Sequence, residues 1–167
     1  INLIQEIIGR PHKICGTFLK SIYSLGVEDA VYSLLKMQNG LSGTLLVNWS
    51  DETYRKMSTS ITVQGKNGKI ICDATEIKIF LKKSIPSENL DKGWTIKYIT
   101  NFAIPVDFYL RGEEYSAQID YFVNCILNKE QPLYNTFEQA LYTDYVIEMI
   151  VKDAKNNKKK KSYIWRQ

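Results

Sequence analysis

The chain has 167 residues, of which 44% are hydrophobic and 24% charged, and its formal net charge is +4. This length suffices for one domain with a hydrophobic core, and the composition is that of an ordinary globular protein. No apolar run approaches the roughly 20 residues that a membrane-spanning helix needs. The N-terminus also lacks the basic region and the cleavage site of a signal peptide. We therefore expect no membrane partner.

Much of the positive charge lies near the C-terminus, at Lys155 and at Lys158 to Lys161. A solvated helix end explains such a run better than a phosphate-binding patch does, because nucleic-acid-binding surfaces usually interleave basic and aromatic residues. We therefore expect no nucleic-acid partner. Binding of single strands through Tyr and Lys side chains remains a weaker alternative.

The cysteines and the single histidine argue against a metal site. Cys15, Cys72 and Cys125 are widely spaced, and the sequence contains no CxxC pair, which leaves a zinc site unsupported. We expect reduced, mostly buried thiols in a cytoplasmic protein. His12 follows Pro11 and is more typical of a turn or a surface than of a catalytic site.

The first eight residues, INLIQEII, have apolar positions at helical spacing, and the Gly and Pro that follow them predict the end of a helix over Ile1–Ile8. The chain begins without Met, in what resembles the middle of a helix. We therefore expect a fragment or a separately produced domain. A strand is predicted next, over Lys13–Tyr23.

Two strands joined by a tight turn follow, over Asp29–Gln38 and Ser42–Ser50. The turn is Asn39-Gly40, a pair that readily adopts the positive φ angles of a tight hairpin. The second strand ends in Asn48, Trp49 and Ser50. This hairpin is the strongest structural signal in the sequence.

Alternating apolar and polar residues predict further strands, and turn residues separate them. The densest turn composition, SIPSENLDKG, predicts a loop over Ser84–Gly93. The predicted strands are Met57–Gln64, Lys69–Asp73, Thr75–Lys83 and Trp94–Phe102.

Two helices are predicted after these strands. Glu113–Asn128 carries an apolar stripe at helical spacing, formed by Tyr115, Ile119, Phe122, Val123 and Ile126. Thr136, with Gln139 three residues later, fits a capping box at the start of the second helix. We expect the buried side of that helix to contain Phe137, Leu141, Ile147 and Val151. A last strand is predicted over Ser162–Arg166.

This order of elements predicts an α+β fold, with a large, mainly antiparallel, open-faced sheet and helices packed on one face. The other face is then available to solvent, a ligand or another subunit. The residues expected on that face mix hydroxyl groups with aromatic rings: Ser58, Ser60, Thr62, Tyr32 and Trp49. Such a mixture suits a sugar-binding surface or a hydrated subunit interface, and an ordinary half-exposed sheet would show it equally well.

The order of short motifs is similar to that of a known family. The motifs are GRP, VED, the Asn-Gly turn, NWS, GKNGKI, EEYSAQIDYF, Pro132-Leu133 and FEQALYTDYVIEMI. Over nearly its whole length the chain resembles the C-terminal domain of the Gfo/Idh/MocA family. Members of this family are NAD(P)-dependent dehydrogenases of sugars, nucleotide sugars and cyclitols. The resemblance implies an N-terminal Rossmann domain beside a C-terminal α+β domain, whose sheet supplies part of the substrate pocket and often the oligomer interface.

The family's catalytic motifs cannot be placed on this sequence. No GxGxxG segment follows a strand, and the Glu-Lys-Pro and Asp-x-x-x-His motifs are missing. We therefore assign no catalytic and no cofactor-binding residue. We expect residues 1–167 to be a single C-terminal domain, with the Rossmann domain of the same polypeptide outside this chain. NAD or NADP would act in the full-length protein and would not bind this chain alone.

By resemblance, substrate contacts come from the sheet and from the loops at its edge. Arg55, Lys56 and Arg111 are expected to hold a phosphate or a carboxylate, and Trp49 and Tyr109 to pack against the apolar face of a sugar. Each residue alone has an ordinary alternative, such as a core position for Trp49 or a solvated loop for Arg55 and Lys56. The full set of expected contacts is Asn48, Trp49, Tyr54, Arg55, Lys56, Tyr109 and Arg111.

Two functions follow from this interpretation. The first is a substrate-binding and oligomerisation domain of an NAD(P)-dependent sugar or nucleotide-sugar dehydrogenase, inactive alone and forming a homo-oligomer through its sheet. The second is a non-enzymatic module whose open sheet binds identical subunits or a partner.

Overall fold

A computed structural model describes residues 1–53, 57–102, 105, 107–108 and 113–164, apart from the side chains of residues 113 and 158–164. The chain divides into two compact units, residues 1–51 with 124–167 and residues 52–123. The helices are α1 (Asn2–Ile7), α2 (Glu113–Leu127) and α3 (Phe137–Ile164). The strands are β1 (Pro11–Lys20), β2 (Ala30–Met37), β3 (Ser42–Asn48), β4 (Ile61–Gln64), β5 (Gly68–Cys72), β6 (Glu76–Leu81) and β7 (Gly93–Tyr98).

The predicted α+β class and the antiparallel strand pairing are confirmed. Within the described residues, however, the strands form two sheets and not one. They form a three-stranded sheet in the order β1-β2-β3 and a four-stranded sheet in the order β4-β5-β6-β7, and all pairs are antiparallel. The first sheet belongs to the first unit and the second sheet to the second unit.

The hairpin between β2 and β3 is confirmed, but only one residue of the predicted Asn39-Gly40 turn has a positive φ. Gly40 has a φ of 83°, whereas Asn39 keeps a negative φ. The Gly40 N–H donates to the Met37 carbonyl at 3.1 Å, and the Met37 N–H donates to the Leu41 carbonyl at 2.8 Å. The connection is therefore a three-residue loop closed by glycine, which needs one positive φ instead of two.

β1 contains a bulge that sequence patterning did not reveal. Cys15 pairs with Leu34 and Phe18 pairs with Tyr32, so that two residues of β1 lie opposite one residue of β2. The first of these two residues is Gly16, whose φ of 65° is the left-handed conformation that glycine adopts without strain in such bulges.

The bulge displaces the backbone N–H of Thr17 from the strand ladder, and α3 supplies its partner. The Thr17 N–H donates to a carboxylate oxygen of Asp153 at 2.7 Å, and the Asn157 side-chain amide donates to the Thr17 carbonyl at 3.3 Å. The buried hydroxyls of Thr17 and Ser33 lie 2.8 Å apart and share a hydrogen bond. The buried polar groups at the bulge therefore anchor α3 to the sheet.

The core of the first unit lies between this sheet and α3. It is formed by Ile14, Leu35, Met37, Val146 and Ile150, with α1 packing against its edge. Because side chains alternate along a strand, the residues between these positions on β2 point to the opposite face of the sheet. The predicted packing of a helix on one sheet face is thus confirmed for α3.

The buried side of α3 differs from the prediction. Phe137 is 97% exposed, and Leu141 and Ile147 are also exposed, whereas Val151 is half-buried. The buried positions are instead Val146, Ile150 and Ala154, which recur every four residues. The prediction counted apolar residues alone, but Asp153 and Asn157 rotate the helix so that they meet the bulge of β1.

The ends of α3 test two further predictions. The capping box is confirmed, because the Thr136 N–H donates to the Gln139 side chain at 3.0 Å and the Gln139 N–H donates to the Thr136 hydroxyl at 3.2 Å. The predicted strand Ser162–Arg166 is wrong for residues 162–164, which continue the helix. Its remaining residues lie outside the described part of the chain.

The second sheet presents two different faces. Val63, Ile70 and Ile79 are cross-strand neighbours on one face. Trp94 lies on the other face, and its ring centroid is 5.3 Å from that of Phe80. Gly68 is required in this sheet, because a Cβ there would lie 2.2 Å from the Phe80 carbonyl oxygen.

The predicted apolar stripe of α2 exists, but its side chains are exposed, from 41% at Ile119 to 64% at Phe122. The three cysteines are free and half-buried, and are therefore more accessible than the sequence suggested. His12 lies exposed on β1, in agreement with the surface position expected for it. Of the helices that the structure describes, none combines the length and the apolar character that crossing a bilayer requires.

Removal of the anchoring carboxylate is expected to destabilise the first unit. Asp153→Ala leaves the Thr17 N–H without its partner in a poorly hydrated position, at a cost of about 1–3 kcal/mol in the free energy of unfolding. Urea unfolding followed by circular dichroism measures this change. Asp144→Ala, on an exposed position of the same helix, is the matched control and should have little effect. Equal stabilities of the two variants would contradict the anchoring role.

Candidate functional site

Two irregular segments meet at one end of the first sheet. β1 ends at Lys20 and β2 begins at Ala30, so the connection between them leaves the sheet where β3 ends, since Ala30 pairs with both Lys20 and Asn48. We call this region, residues 21–29 and 48–50, the loop end of the first sheet.

Asp29 organises the loop from within. Its side chain is buried, with 3% of the residue exposed, and its carboxylate accepts hydrogen bonds from the backbone N–H groups of Ile22, Tyr23 and Ser24 at 2.7 to 3.0 Å. These bonds, that of Ile22 first, hold the pKa of the Asp29 carboxyl below its usual value by favouring the charged form. A carboxylate that accepts several amides gives an irregular loop a defined backbone path.

Asp29 also fixes the residue that follows β3. Its carbonyl oxygen accepts the backbone N–H of Trp49 at 2.8 Å. The Asn48 side chain accepts the Ser50 N–H at 2.9 Å and so turns the chain directly after the strand. Trp49 is 86% exposed, which excludes the alternative of a core position. Two of the expected substrate contacts, Asn48 and Trp49, therefore lie together at the loop end.

The other expected contacts are Tyr54, Arg55, Lys56, Tyr109 and Arg111, which lie outside the described residues. The mixed polar and aromatic face expected for one sheet is not a single face. Tyr32 belongs to β2 of the first sheet, whereas Thr62 belongs to β4 of the second, and Ser58 and Ser60 precede β4. The expectation was wrong because it assumed one continuous sheet.

An apolar cleft of about 460 Å³ opens beside the loop end, within the first unit. Leu19 and Val47, each close to an end of its strand, line it together with Ile1 at the start of α1 and Ile150 of α3. Glu28, directly before Asp29, contributes a carboxylate to the lining. A small ligand at this cleft would meet aliphatic walls, one carboxylate and the exposed ring of Trp49 nearby along the chain.

Sequence reasoning missed three residues of this region: Tyr23, Glu28 and Asp29. A signal for Asp29 was present, because an aspartate at the end of a short Ser- and Gly-containing loop commonly accepts nearby backbone N–H groups. The exposure of Tyr23 and the place of Glu28 in the cleft depend on the path of the loop, which the pattern of apolar residues does not reveal.

The family is shown by the sequence match. Residues 6–161 match the Gfo/Idh/MocA family described as the oxidoreductase family, C-terminal alpha/beta domain. The chain belongs to this family, and the resemblance noted from its motifs is confirmed. No curated protein matches the sequence.

Several solved dehydrogenases share the fold. Levoglucosan dehydrogenase in complex with NADH and levoglucosan is 16% identical with a TM-score of 0.69, and the match covers 92% of this chain and 46% of that one. The WlbA dehydrogenase from Bordetella pertussis in complex with NADH and UDP-GlcNAcA is 16% identical with a TM-score of 0.61, covering 93% and 40%. An aldose-aldose oxidoreductase from Caulobacter crescentus, complexed with glycerol, is 17% identical with a TM-score of 0.66, covering 93% and 43%.

At these identities the likeness concerns the fold. The chain spans less than half the length of each of these solved proteins. The described fold therefore corresponds to less than half of each of these solved proteins.

The depressed pKa of Asp29 predicts a specific pH dependence of stability. A carboxyl whose folded-state pKa lies below its ordinary value of 3.8 stabilises the fold above that value, and this contribution declines as the pH falls through the folded-state pKa. Asp29→Asn should therefore lower the melting temperature at neutral pH and lose less stability than the wild type on acidification. Thermal melts over a pH series test this. Asp91→Asn, at an exposed position, is the control, and parallel pH profiles for wild type and Asp29→Asn would contradict the assignment.

Proposed function

We propose that this chain is the substrate-binding and oligomerisation domain of a cytoplasmic NAD(P)-dependent dehydrogenase of sugars or nucleotide sugars. The observation that carries the proposal is the loop end of the first sheet, where Asp29 orders the loop and accepts the backbone N–H of the exposed Trp49, and where Glu28 of the same loop lines an apolar cleft. Membership of an oxidoreductase domain family supports the proposal.

In this proposal the chain forms one wall of an active site that a Rossmann domain of the same polypeptide completes. Bound NAD or NADP would supply the hydride chemistry there. The residues of this chain bind and orient the substrate: the ring of Trp49 covers an apolar sugar face, and the side chains of Asn48 and Glu28 are available to sugar hydroxyls. Tyr54, Arg55, Lys56, Tyr109 and Arg111 complete the proposed contacts, with the three basic residues facing a phosphate or a carboxylate.

The substrate class and the cofactor are proposed from the solved relatives. Two of these are described as complexes of NADH with levoglucosan and with UDP-GlcNAcA, which are a sugar derivative and a nucleotide sugar. The cleft of this chain has aliphatic walls and few polar groups, which suits the apolar face of a sugar ring.

The exposed face of the first sheet supports self-association. Opposite the face that α3 covers, β1, β2 and β3 present Phe18, Tyr32, Leu34 and Leu46, which are 44% to 65% exposed. We call these four residues the open face. A contiguous apolar surface of this kind is typical of protein interfaces. A second copy of this chain is the proposed occupant, in keeping with a homo-oligomer.

The same open face supports the second candidate function, a non-enzymatic module that joins subunits or a partner through its sheet. The two functions differ in what precedes Ile1 in the coding sequence. A Rossmann βαβ unit and a Glu-Lys-Pro turn upstream would favour the dehydrogenase, and a translation start near Ile1 would favour the module.

Calorimetry with NADH tests whether the cofactor binds the upstream Rossmann domain and not this chain. We expect no saturable heat for the 167-residue chain and saturable binding for the protein expressed with its upstream Rossmann domain, because the glycine-rich phosphate-binding turn is missing here. Micromolar NADH binding by the chain alone would contradict the proposal.

Charge on the open face is expected to prevent self-association. Leu46→Lys places an ammonium group in the apolar patch, where burial in an interface would be costly. Sedimentation velocity should show the wild-type chain as an oligomer and this variant as a monomer. Asn156→Lys, on an exposed position of α3, is the control and should sediment like the wild type. A monomeric wild type at high concentration would refute self-association through this face.

A further inference from the structure

The connection between β1 and β2 is unusually apolar for an exposed loop. Ile22, Tyr23, Leu25 and Val27 are all exposed, with Leu25 fully so and Tyr23 at 72%. Exposure of large apolar side chains to water is unfavourable, and holding an irregular backbone in one conformation costs conformational entropy. A structural reason for one defined path is therefore required, and Asp29 provides it.

The carboxylate of Asp29 holds the backbone of the loop in place through several hydrogen bonds. Three successive backbone N–H groups, from Ile22, Tyr23 and Ser24, converge on its carboxylate. One carboxylate oxygen, Oδ2, accepts all three N–H groups, and Oδ1 accepts that of Ile22 as well. The side-chain amide of an asparagine is neutral and replaces one of these oxygens by an N–H donor, which weakens the bonds to the loop. The lowered pKa of Asp29 agrees with this arrangement, because all three bonds favour the charged form.

The same residue links the loop to the end of β3. Its side chain receives the Tyr23 N–H at 2.7 Å, and its main-chain carbonyl receives the Trp49 N–H at 2.8 Å. Two exposed aromatic residues, distant in sequence, are thereby tied through their backbones to one buried aspartate. Neither ring is held by the core, since 72% and 86% of these residues are exposed.

We infer that Asp29 is a positioning residue of the proposed substrate wall, and that Tyr23 is a second aromatic contact that acts with Trp49 on a sugar-type ligand. This inference rests on the proposed function and deepens it. Stacking of a sugar on aromatic rings requires ring faces at fixed places, and a loop ordered during folding does not have to be ordered again on binding. Asp29 would therefore raise affinity without touching the ligand.

Saturation-transfer NMR of the 167-residue chain with levoglucosan tests the inference, because this method detects weak binding. Asp29→Asn should weaken binding, and Tyr23→Ala and Trp49→Ala should each weaken it on the order of threefold to tenfold, as expected for the loss of one aromatic contact. Tyr23→Phe retains the ring face and should therefore recover most of the affinity that Tyr23→Ala loses.

Asp73→Asn is the matched control. Asp73 accepts the backbone N–H groups of Thr75 and Glu76 at 2.7 and 3.1 Å, and its pKa is likewise lowered, the Thr75 bonds contributing most. It lies in the second unit and bonds to neither Tyr23 nor Trp49. The variant should therefore bind levoglucosan like the wild type. Weaker binding by Asp29→Asn alone would then reflect the position of Asp29, and not merely the loss of an aspartate that accepts backbone N–H groups.

Amide hydrogen exchange gives the readout that distinguishes positioning from general stability. In Asp29→Asn the amides of Ile22, Tyr23, Ser24 and Trp49 should exchange faster, while the amide of Leu35 in the core keeps its protection. Should Asp29→Asn fail to fold, the two alanine variants at exposed positions decide, and wild-type affinity in both would overturn the inference.

The failure of the inference differs from the failure of the proposed function. A wild-type chain that binds levoglucosan, with Asp29→Asn binding equally well or keeping its loop amides protected, overturns the positioning role and leaves the substrate wall intact. A wild-type chain that binds neither levoglucosan nor UDP-GlcNAcA overturns both proposals.

Discussion

The hydrogen bond between Asp153 and the backbone N–H of Thr17 sets the arrangement of the first unit. The bulge at Gly16 and Thr17 leaves a donor on the buried face of β1, and a buried donor must be paired. Asp153 provides the partner at 2.7 Å, which fixes both the rotation and the position of α3 on the sheet. The core around Leu35 and Val146 packs within that constraint. One face of the sheet is thus closed, and the other face and the loop end are left exposed.

The same chemistry recurs at the loop end with a different consequence. Asp153 accepts one backbone amide and so holds two elements of the core together, whereas Asp29 accepts three backbone amides and orders a loop whose large apolar side chains are exposed. Carboxylates suit both tasks because they accept hydrogen bonds from several donors at once. The first aspartate builds the scaffold, and the second gives an exposed loop the rigidity that a binding surface needs. Together, the two aspartates explain how a three-stranded sheet presents an ordered aromatic residue such as Trp49.

The features of this structure that the sequence predicted correctly are those set by interactions between neighbouring residues. The β2–β3 hairpin followed from alternation around Asn39 and Gly40, and the start of α3 from Thr136 and Gln139, because turns and caps depend on neighbouring residues. The buried side of α3 was mispredicted because apolar residues lie on more than one side of this helix, and the bond from Thr17 to Asp153, which marks the side that meets the sheet, joins residues distant in sequence. The division of the strands into two sheets and the bulge at Gly16 likewise depend on pairing between distant segments. Of the expected substrate contacts, Asn48 and Trp49 lie at the loop end, and their contact with a substrate stays a prediction. The hydrogen bonds of Asp29 could not be predicted, because they depend on the path of the loop.

The central claim is that this domain presents the loop end of its first sheet to a sugar. Chemical-shift mapping of the ¹⁵N-labelled chain titrated with levoglucosan tests it most directly, because every backbone amide reports separately. The account predicts that the largest saturable shifts fall on residues 22–24 and 48–50 and on the Trp49 indole N–H. Saturable shifts confined to the open face around Tyr32 and Leu46, with residues 22–24 and 48–50 unchanged, would contradict it.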